Sequence, residues 1–469
     1  MQNSKLIQLL QTFSTAEWRS FQDFVHSPYY NKHEDTARLS DYLKEGAPDL
    51  REDYIERPLV YRNLFPGEAY DERRLNRLMS KLLKLAEQFL GIQRFESAGI
   101  LPDCYTLEAL VDRQLEKSFD HQYRQARERL ESGTIRDDHY HFQKYLLADI
   151  AFRRVWSRRL RTSDPNLQEA GDQLQQFFLA RQLKYLCAML NRQRLFSVRY
   201  DLGISNALLD YLDGRPDEQP PAVGAYRQAA LLFQHPEDGR FFDQFRRQLP
   251  HFMPFFTKTE QRELYYLAIN FCTDKIRSGE RRYANDLFDL YREGLQKEIL
   301  LENGELSPWS YKNMIKLGLN LQKFDWVEHI VEHYTQQLNE DFREDAYHFN
   351  LADLHYHRGD YDQALLHLHR VEFSDIHYNL GAKAMLLRIY HERGDTEAFL
   401  SLAAAFGIFL RRNTVISKNV KASYANFTRI LTLIHKYGDR KRLTIQRRIA
   451  ETKDLYGRGW LLKQLRIEN

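Results

Sequence analysis

Residues 345–376, reading DAYHFNLADLHYHRGDYDQALLHLHRVEFSDI, constrain the fold of this chain more than any other stretch. Leu351, Ala352, Leu354 and His355 fall on one side of a first helical segment, and Ala364, Leu365, Leu368 and Val371 recur at three- and four-residue steps in a second. Between them stands Arg358-Gly359-Asp360. Gly359 can take the left-handed conformation that closes a helix, and Asp360 can accept from the free amides that open the next. The small Ala352 and Ala364 sit where two helices of a tight hairpin must approach closely. Two short amphipathic helices folded into a hairpin are therefore expected here.

The segment resembles a tetratricopeptide repeat, a helix-turn-helix unit of roughly 34 residues. The resemblance rests on Leu351-Ala352, Gly359-Asp360-Tyr361 and Ala364, with Leu368 and Val371 in later apolar positions. The chain departs from the pattern at His348, where the family places a large aromatic, and at Ile376, where it places proline. A second copy follows in Leu386-Leu387, Tyr390 and Gly394-Asp395, with Gly394 standing 35 residues after Gly359. Gly279 with Ala284, and Phe324-Asp325-Trp326, are weaker copies upstream. Such units cannot bury their apolar faces alone, so the resemblance implies a stack of hairpins. It also implies a concave groove lined by the first helix of each unit, here Phe349, Asp353, Tyr356 and His357, then Ala384, Arg388, His391 and Glu392. On that reading these side chains face the groove and not the hairpin seam.

Of the 469 residues 43% are hydrophobic and only 13 are proline, and alternating β-branched runs are nearly absent. An all-α protein with an ample core is expected: helical hairpins stacked as a solenoid after a helical N-terminal module. The partition read from the breaks is 1–95, a compact helical module; 96–212, longer helical hairpins; and 222–469, the repeat region. The linker is 213–221, DGRPDEQPP, whose prolines forbid a helix and which offers almost nothing apolar.

Within the first part, Ser14 with Glu17 forms a capping box and Phe13 with Trp18 a hydrophobic staple. A long helix announced by Asp71 carries Leu75, Leu78, Met79, Leu82, Leu83, Ala86, Phe89 and Leu90 on one face and is expected to close at Gly91. Further breaks are read at Gly133, at 163–166 and around Gly203, with an aromatic-rich break at 250–257. Residues 455–467 read as a capping helix with Trp460 and Leu461 in apolar contact.

Net charge is only +3 with 28% charged residues, so no global field draws in nucleic acid and any such role has to be local. Cys104, Cys187 and Cys272 lie far apart, which fits a reducing compartment and neither a disulfide framework nor a zinc knuckle. The first residues lack the continuous apolar core of a secretion signal, and no stretch reads as a membrane span. A cytoplasmic location is expected.

Three patterns carry potential chemistry. His329-Ile330-Val331-Glu332-His333 has the H-x-x-E-H form of one class of zinc peptidases, in which two histidines on one helix face hold a metal and the glutamate activates its water. His355, His357, His367, His369 and His377 crowd a short region, yet alternation every second residue puts neither close pair on one helical face. Two basic clusters could touch phosphate: Arg153, Arg154, Arg158, Arg159 and Arg161 around Trp156, and Arg440, Lys441, Arg442, Arg447 and Arg448. No Gly-rich phosphate loop or G-x-S-x-G elbow is present. The expected function is a non-enzymatic, cofactor-free scaffold or adaptor holding a protein or peptide in the groove. The alternative is a nucleic-acid-associated regulator acting through basic helical patches, and a third reading is a zinc-dependent hydrolase.

Overall fold

The computed structural model describes residues 1–157, 164–195, 198–215, 219–371, 376–414 and 416–465. Among them are 23 α-helices, three short 3-10 turns and one ribbon of two two-residue strands, so the fold is all-α. Two compact units are formed: Met1–Gln182 with Asp217–Val223, and Leu183–Pro216 with Gly224–Asn469.

The first unit opens with α1 (Lys5–Leu10), α2 (Thr15–His26), α3 (Glu34–Glu45), α4 (Arg57–Leu64) and α5 (Glu72–Glu96). The capping box is formed, with Ser14 accepting from the Glu17 amide and the Glu17 carboxylate accepting from the Ser14 amide at 2.8 Å. Phe13 meets Trp18 edge-on at 5.8 Å, which fixes the entry of α2. Asp71 caps α5, and Leu75, Leu78, Met79, Leu82, Ala86 and Phe89 are buried against α1 to α4. The expected stop at Gly91 is wrong. The helix runs on to Glu96, and no neighbouring atom lies within 4 Å of where a Gly91 Cβ would stand. A glycine in a continuous amphipathic run is tolerated at a modest propensity cost and closes nothing by itself.

Next come α6 (Leu101–Asp112), α7 (Glu116–Ser132), α8 (Asp138–Ser157) and the 31-residue α9 (Pro165–Leu195). The first three share a core of Ile100, Cys104, Leu107, Phe119, Ala126, Leu147 and Ile150. Arg153 pairs with Glu108 at 2.6 Å and Asp149 at 2.9 Å, while Arg154 pairs with Asp120 and lies over the Phe119 ring. These two members of the first basic cluster are thus held by carboxylates of their own unit. Arg158, Arg159 and Arg161 lie outside the described residues, as do 216–218 of the expected linker.

The second unit continues with α10 (Ser205–Asp213), α11 (Pro221–Gln234), α12 (Gly239–Phe252), α13 (Lys258–Arg277), α14 (Tyr283–Gln296), α15 (Pro308–Asn320) and α16 (Phe324–Tyr334). It ends with α17 (Glu340–Arg358), α18 (Tyr361–Leu368), α19 (Ile376–Glu392), α20 (Thr396–Arg412), α21 (Lys418–Tyr437), α22 (Arg442–Glu451) and α23 (Arg458–Lys463). From α13 onward consecutive helices pair, and first helices contact first helices, α15 on α17, α17 on α19 and α19 on α21. Consecutive hairpins therefore stack.

One turn recurs through this stack. Gly359, at φ +80°, donates to the Tyr356 carbonyl at 3.1 Å, and Asp360 donates to the His355 carbonyl at 2.9 Å. That pair of bonds closes a helix with a left-handed residue, and the Asp360 side chain opens α18 by accepting from Gln363. The same two bonds close α19 at Gly394 and α13 at Gly279, and at α15 the left-handed residue is Gln322, at φ +56°. A further copy in the first unit turns at Gln114 between α6 and α7. Ala352 and Ala364 are fully buried at the seam of α17 and α18, as their size requires.

Candidate partner-binding groove

Aligning the hairpins on their left-handed turn residues fixes which side chains occupy equivalent places on the first helices. The place of Asp353 on α17 is taken by Thr273 on α13, Lys316 on α15 and Arg388 on α19, each six residues before its turn. The place of Phe349 is taken by Lys312 and Ala384, and that of His357 by Arg277, Asn320 and Glu392. At α15 and α17 this face is open. Lys312, Lys316 and Asn320 are exposed, and Phe349 and Asp353 are half-buried. Phe349 packs on Tyr378 at 5.3 Å, and a Cβ at Gly381 would meet its ring at 2.9 Å. The His357 side chain is 34% exposed and sits 3.2 Å from the Asp353 carboxylate. Burial opposes the charged imidazolium there, but the Asp353 carboxylate outweighs it and raises the His357 pKa.

At α19 the same face is covered. The Tyr356 hydroxyl donates to Glu392 Oε1 at 3.0 Å and accepts from Trp460 Nε1 at 2.8 Å, and Gln464 donates to the same Glu392 oxygen at 3.0 Å. The Arg388 guanidinium lies 5.0 Å from the Trp460 ring, 5.2 Å from Tyr456 and 5.6 Å from Phe427. Gly457, at φ +65°, lets the chain pass over Arg388, since a Cβ there would meet Nη2 at 2.7 Å. His391 is half-buried, edge-on to Trp460, with Nδ1 3.0 Å from His435 Nδ1. Burial and the neighbouring His435 push its pKa down to about 4.

Two expectations change accordingly. Tyr356 does not line an open groove: it is 9% exposed and shares a core with Ala352, Ala364, Leu368, Ala382, Met385 and Ile389. Ala384 is fully buried in the core built by α19 to α23. The cause is the same for both, because the helices following the last hairpin fold onto the first-helix face and fill it with Tyr456 and Trp460. Arg388 and His391 are brought together with Tyr356, as contacts of that cover. The expected capping helix is α23, with Leu461 buried and Trp460 in contact, and 466–467 fall outside the described residues.

His329, Glu332 and His333 lie exposed on one face of α16, with ring centroids 4.3 Å apart and His333 Nδ1 bonded to the His329 carbonyl at 3.1 Å. Among the described residues no third His, Cys, Asp or Glu completes a metal-binding set with them. Sequence reasoning missed a different convergence. His348 and His367 approach to 3.1 Å between Nδ1 atoms, and His355 stacks on His367 at 5.6 Å. The signal was available: His348 and His355 are seven residues apart on one face of α17, and His367 belongs to the helix opposite. Burial lowers the pKa of His348 and His367.

No family model matches the chain, and no curated protein or solved structure matches it. Among the described residues no helix is long and apolar enough to cross a membrane.

Proposed function

We propose that the chain is a tetratricopeptide-like, non-enzymatic scaffold that holds a protein or peptide partner on the first-helix face of α15 and α17. The observation that supports this most is the open stretch Lys312, Lys316, Asn320, Phe349, Asp353 and His357 on two neighbouring helices, directly followed by a covered stretch on α19. The open part joins one aromatic to separated charges of both signs, which suits an anchor with a polar rim. Lys316 makes no ion pair with any described residue, so its charge is available to a partner carboxylate. The covered part supports this reading, since the chain's own segment docks there through Trp460, Tyr456 and Gln464. The test is a charge reversal, Lys316→Glu with Asp353→Lys, read by quantitative recovery of co-purifying proteins. Recovery falling at least tenfold for a defined partner supports the assignment, and unchanged recovery moves binding elsewhere.

A further inference from the structure

The near-neutral net charge of the chain conceals a strong segregation. Between Arg411 and Lys463 stand fourteen Lys and Arg against three Asp and Glu, so the rest of the chain is acidic on balance. The ion pairs of the described residues end at Arg393, and none of the described Lys or Arg after it is held by a described carboxylate. The contrast with Arg153 and Arg154, both neutralised by neighbours, is direct.

The helical period orders these charges. At 100° per residue, Lys418, Lys421, Arg429 and Lys436 fall within about 80° of one another on α21. The opposite side of α21 buries Phe427, Ile430, Leu431 and Ile434. Lys418 and Lys436 are separated by about 27 Å at 1.5 Å per residue. Arg440 and Lys441 follow in the 3-10 turn after the helix, both exposed and Lys441 over the Tyr437 ring, and α22, packed on α21, exposes Arg447 and Arg448. Between the cations stand Ala422, Ala425 and Thr432.

We infer that this ridge binds duplex nucleic acid through its phosphate backbone, without reading sequence. A row about 27 Å long spans about eight base pairs of duplex axis at roughly 3.4 Å each, and each unpaired cation that meets a phosphate there gains by counterion release. Single strands are held by exposed rings on which bases stack. Two of the three rings of α21 are turned inward instead, Tyr424 onto Tyr456 at 4.4 Å and Phe427 into the core, and the exposed Tyr437 has Lys441 over its ring. A basic amphipathic helix on a lipid surface inserts its apolar face. Here that face is occupied by the core, leaving Leu443 and Tyr437 as the large apolar side chains exposed nearby among the described residues. The ridge shares no residue with the groove on α15 and α17, so either assignment can fail alone.

The experiment titrates the full chain into a fluorescent DNA duplex of roughly 20 base pairs at several salt concentrations, beside the same single strand, phosphatidylserine vesicles and polyglutamate. Duplex affinity is expected to fall steeply with salt. The variant Lys418→Gln/Arg429→Gln/Lys436→Gln/Arg440→Gln is expected to weaken it at least about tenfold and to reduce the logarithmic salt slope by about 3 to 4. These side chains are exposed and like-charged, so neutralising them leaves folding intact, as circular dichroism and a thermal scan will show. Arg429→Gln alone gives a smaller loss in the same direction. Absent duplex binding, unchanged affinity in the four-site variant, tighter binding to the single strand, or binding only to vesicles or polyglutamate would each overturn the inference.

Discussion

Trp460 donates its indole N–H to the hydroxyl of Tyr356 at 2.8 Å, across 104 positions of sequence, and thereby fastens the last described helix to the first helix of the best-defined hairpin. The Tyr356 hydroxyl passes the connection to Glu392, which Gln464 also reaches. Trp460→Phe is expected to lower stability by about 1 kcal/mol, and Tyr356→Phe by about 1 to 3 kcal/mol because it strips partners from both neighbours. The two losses should add to more than the double variant shows, since they break one network. Urea unfolding of the four proteins of this cycle measures the coupling. Strict additivity would deny the bond.

Gly457 makes the cover close-fitting. Gly457→Ala places a methyl against Arg388 and strains a left-handed backbone. Faster hydrogen exchange over α23 and a stability loss of about 1 to 2 kcal/mol are expected. Exchange unchanged from the parent would show that the segment does not lie on Arg388.

The recurring turn makes opposite predictions at two equivalent sites. Gln322 carries a side chain at φ +56°, so Gln322→Gly should stabilise by a few tenths to about 1 kcal/mol. Gly359, at φ +80°, should lose about 1 to 2 kcal/mol on conversion to alanine. The same sign at both positions would contradict the equivalence.

Which parts of this fold the sequence announces depends on where the physics is local. Asp71, the Ser14–Glu17 box and the Gly359 and Gly394 turns depend on a few adjacent residues, and each is read correctly. Gln114 and Gln322 adopt the same turn but carry no glycine to announce it. Gly91 carries the signal and not the turn: its helix runs on to Glu96, with Ile92 still packed partly on the core of the first five helices. Burial of Tyr356 and Ala384 comes from residues tens of positions downstream, which no local period encodes. The histidine convergence on α17 and α18 is half legible: the seven-residue spacing of His348 and His355 is local, while the approach of His367 depends on how the two helices pack.

Acid should loosen the covered end first. The folded-state pKa of His391 is about 4, below the usual value near 6.5, because burial and His435 disfavour its charge. A base held neutral contributes stability at high pH that is lost as pH falls from about 6.5, through the unfolded value, towards the folded one. Stability should therefore drop between about pH 6.5 and 4, and His391→Gln should flatten that dependence. Urea midpoints at pH 7.5 and pH 5 decide, and an unaltered difference between them would assign the acid response elsewhere.

Ala364 is fully buried at the hairpin seam. Ala364→Phe is expected to overpack it at a cost of about 1 to 3 kcal/mol, seen as a lower melting temperature. An unchanged melting temperature would place this residue off the seam.

Partner capture tests the scaffold assignment most directly. Parent protein and the Lys316→Glu/Asp353→Lys variant are compared from native cells at moderate salt with nuclease present, so that proteins tethered through nucleic acid are released. The account predicts a defined set of partners recovered with the parent and reduced at least tenfold with the variant, whose melting temperature stays within a few degrees. Equal recovery by two equally folded proteins would contradict it.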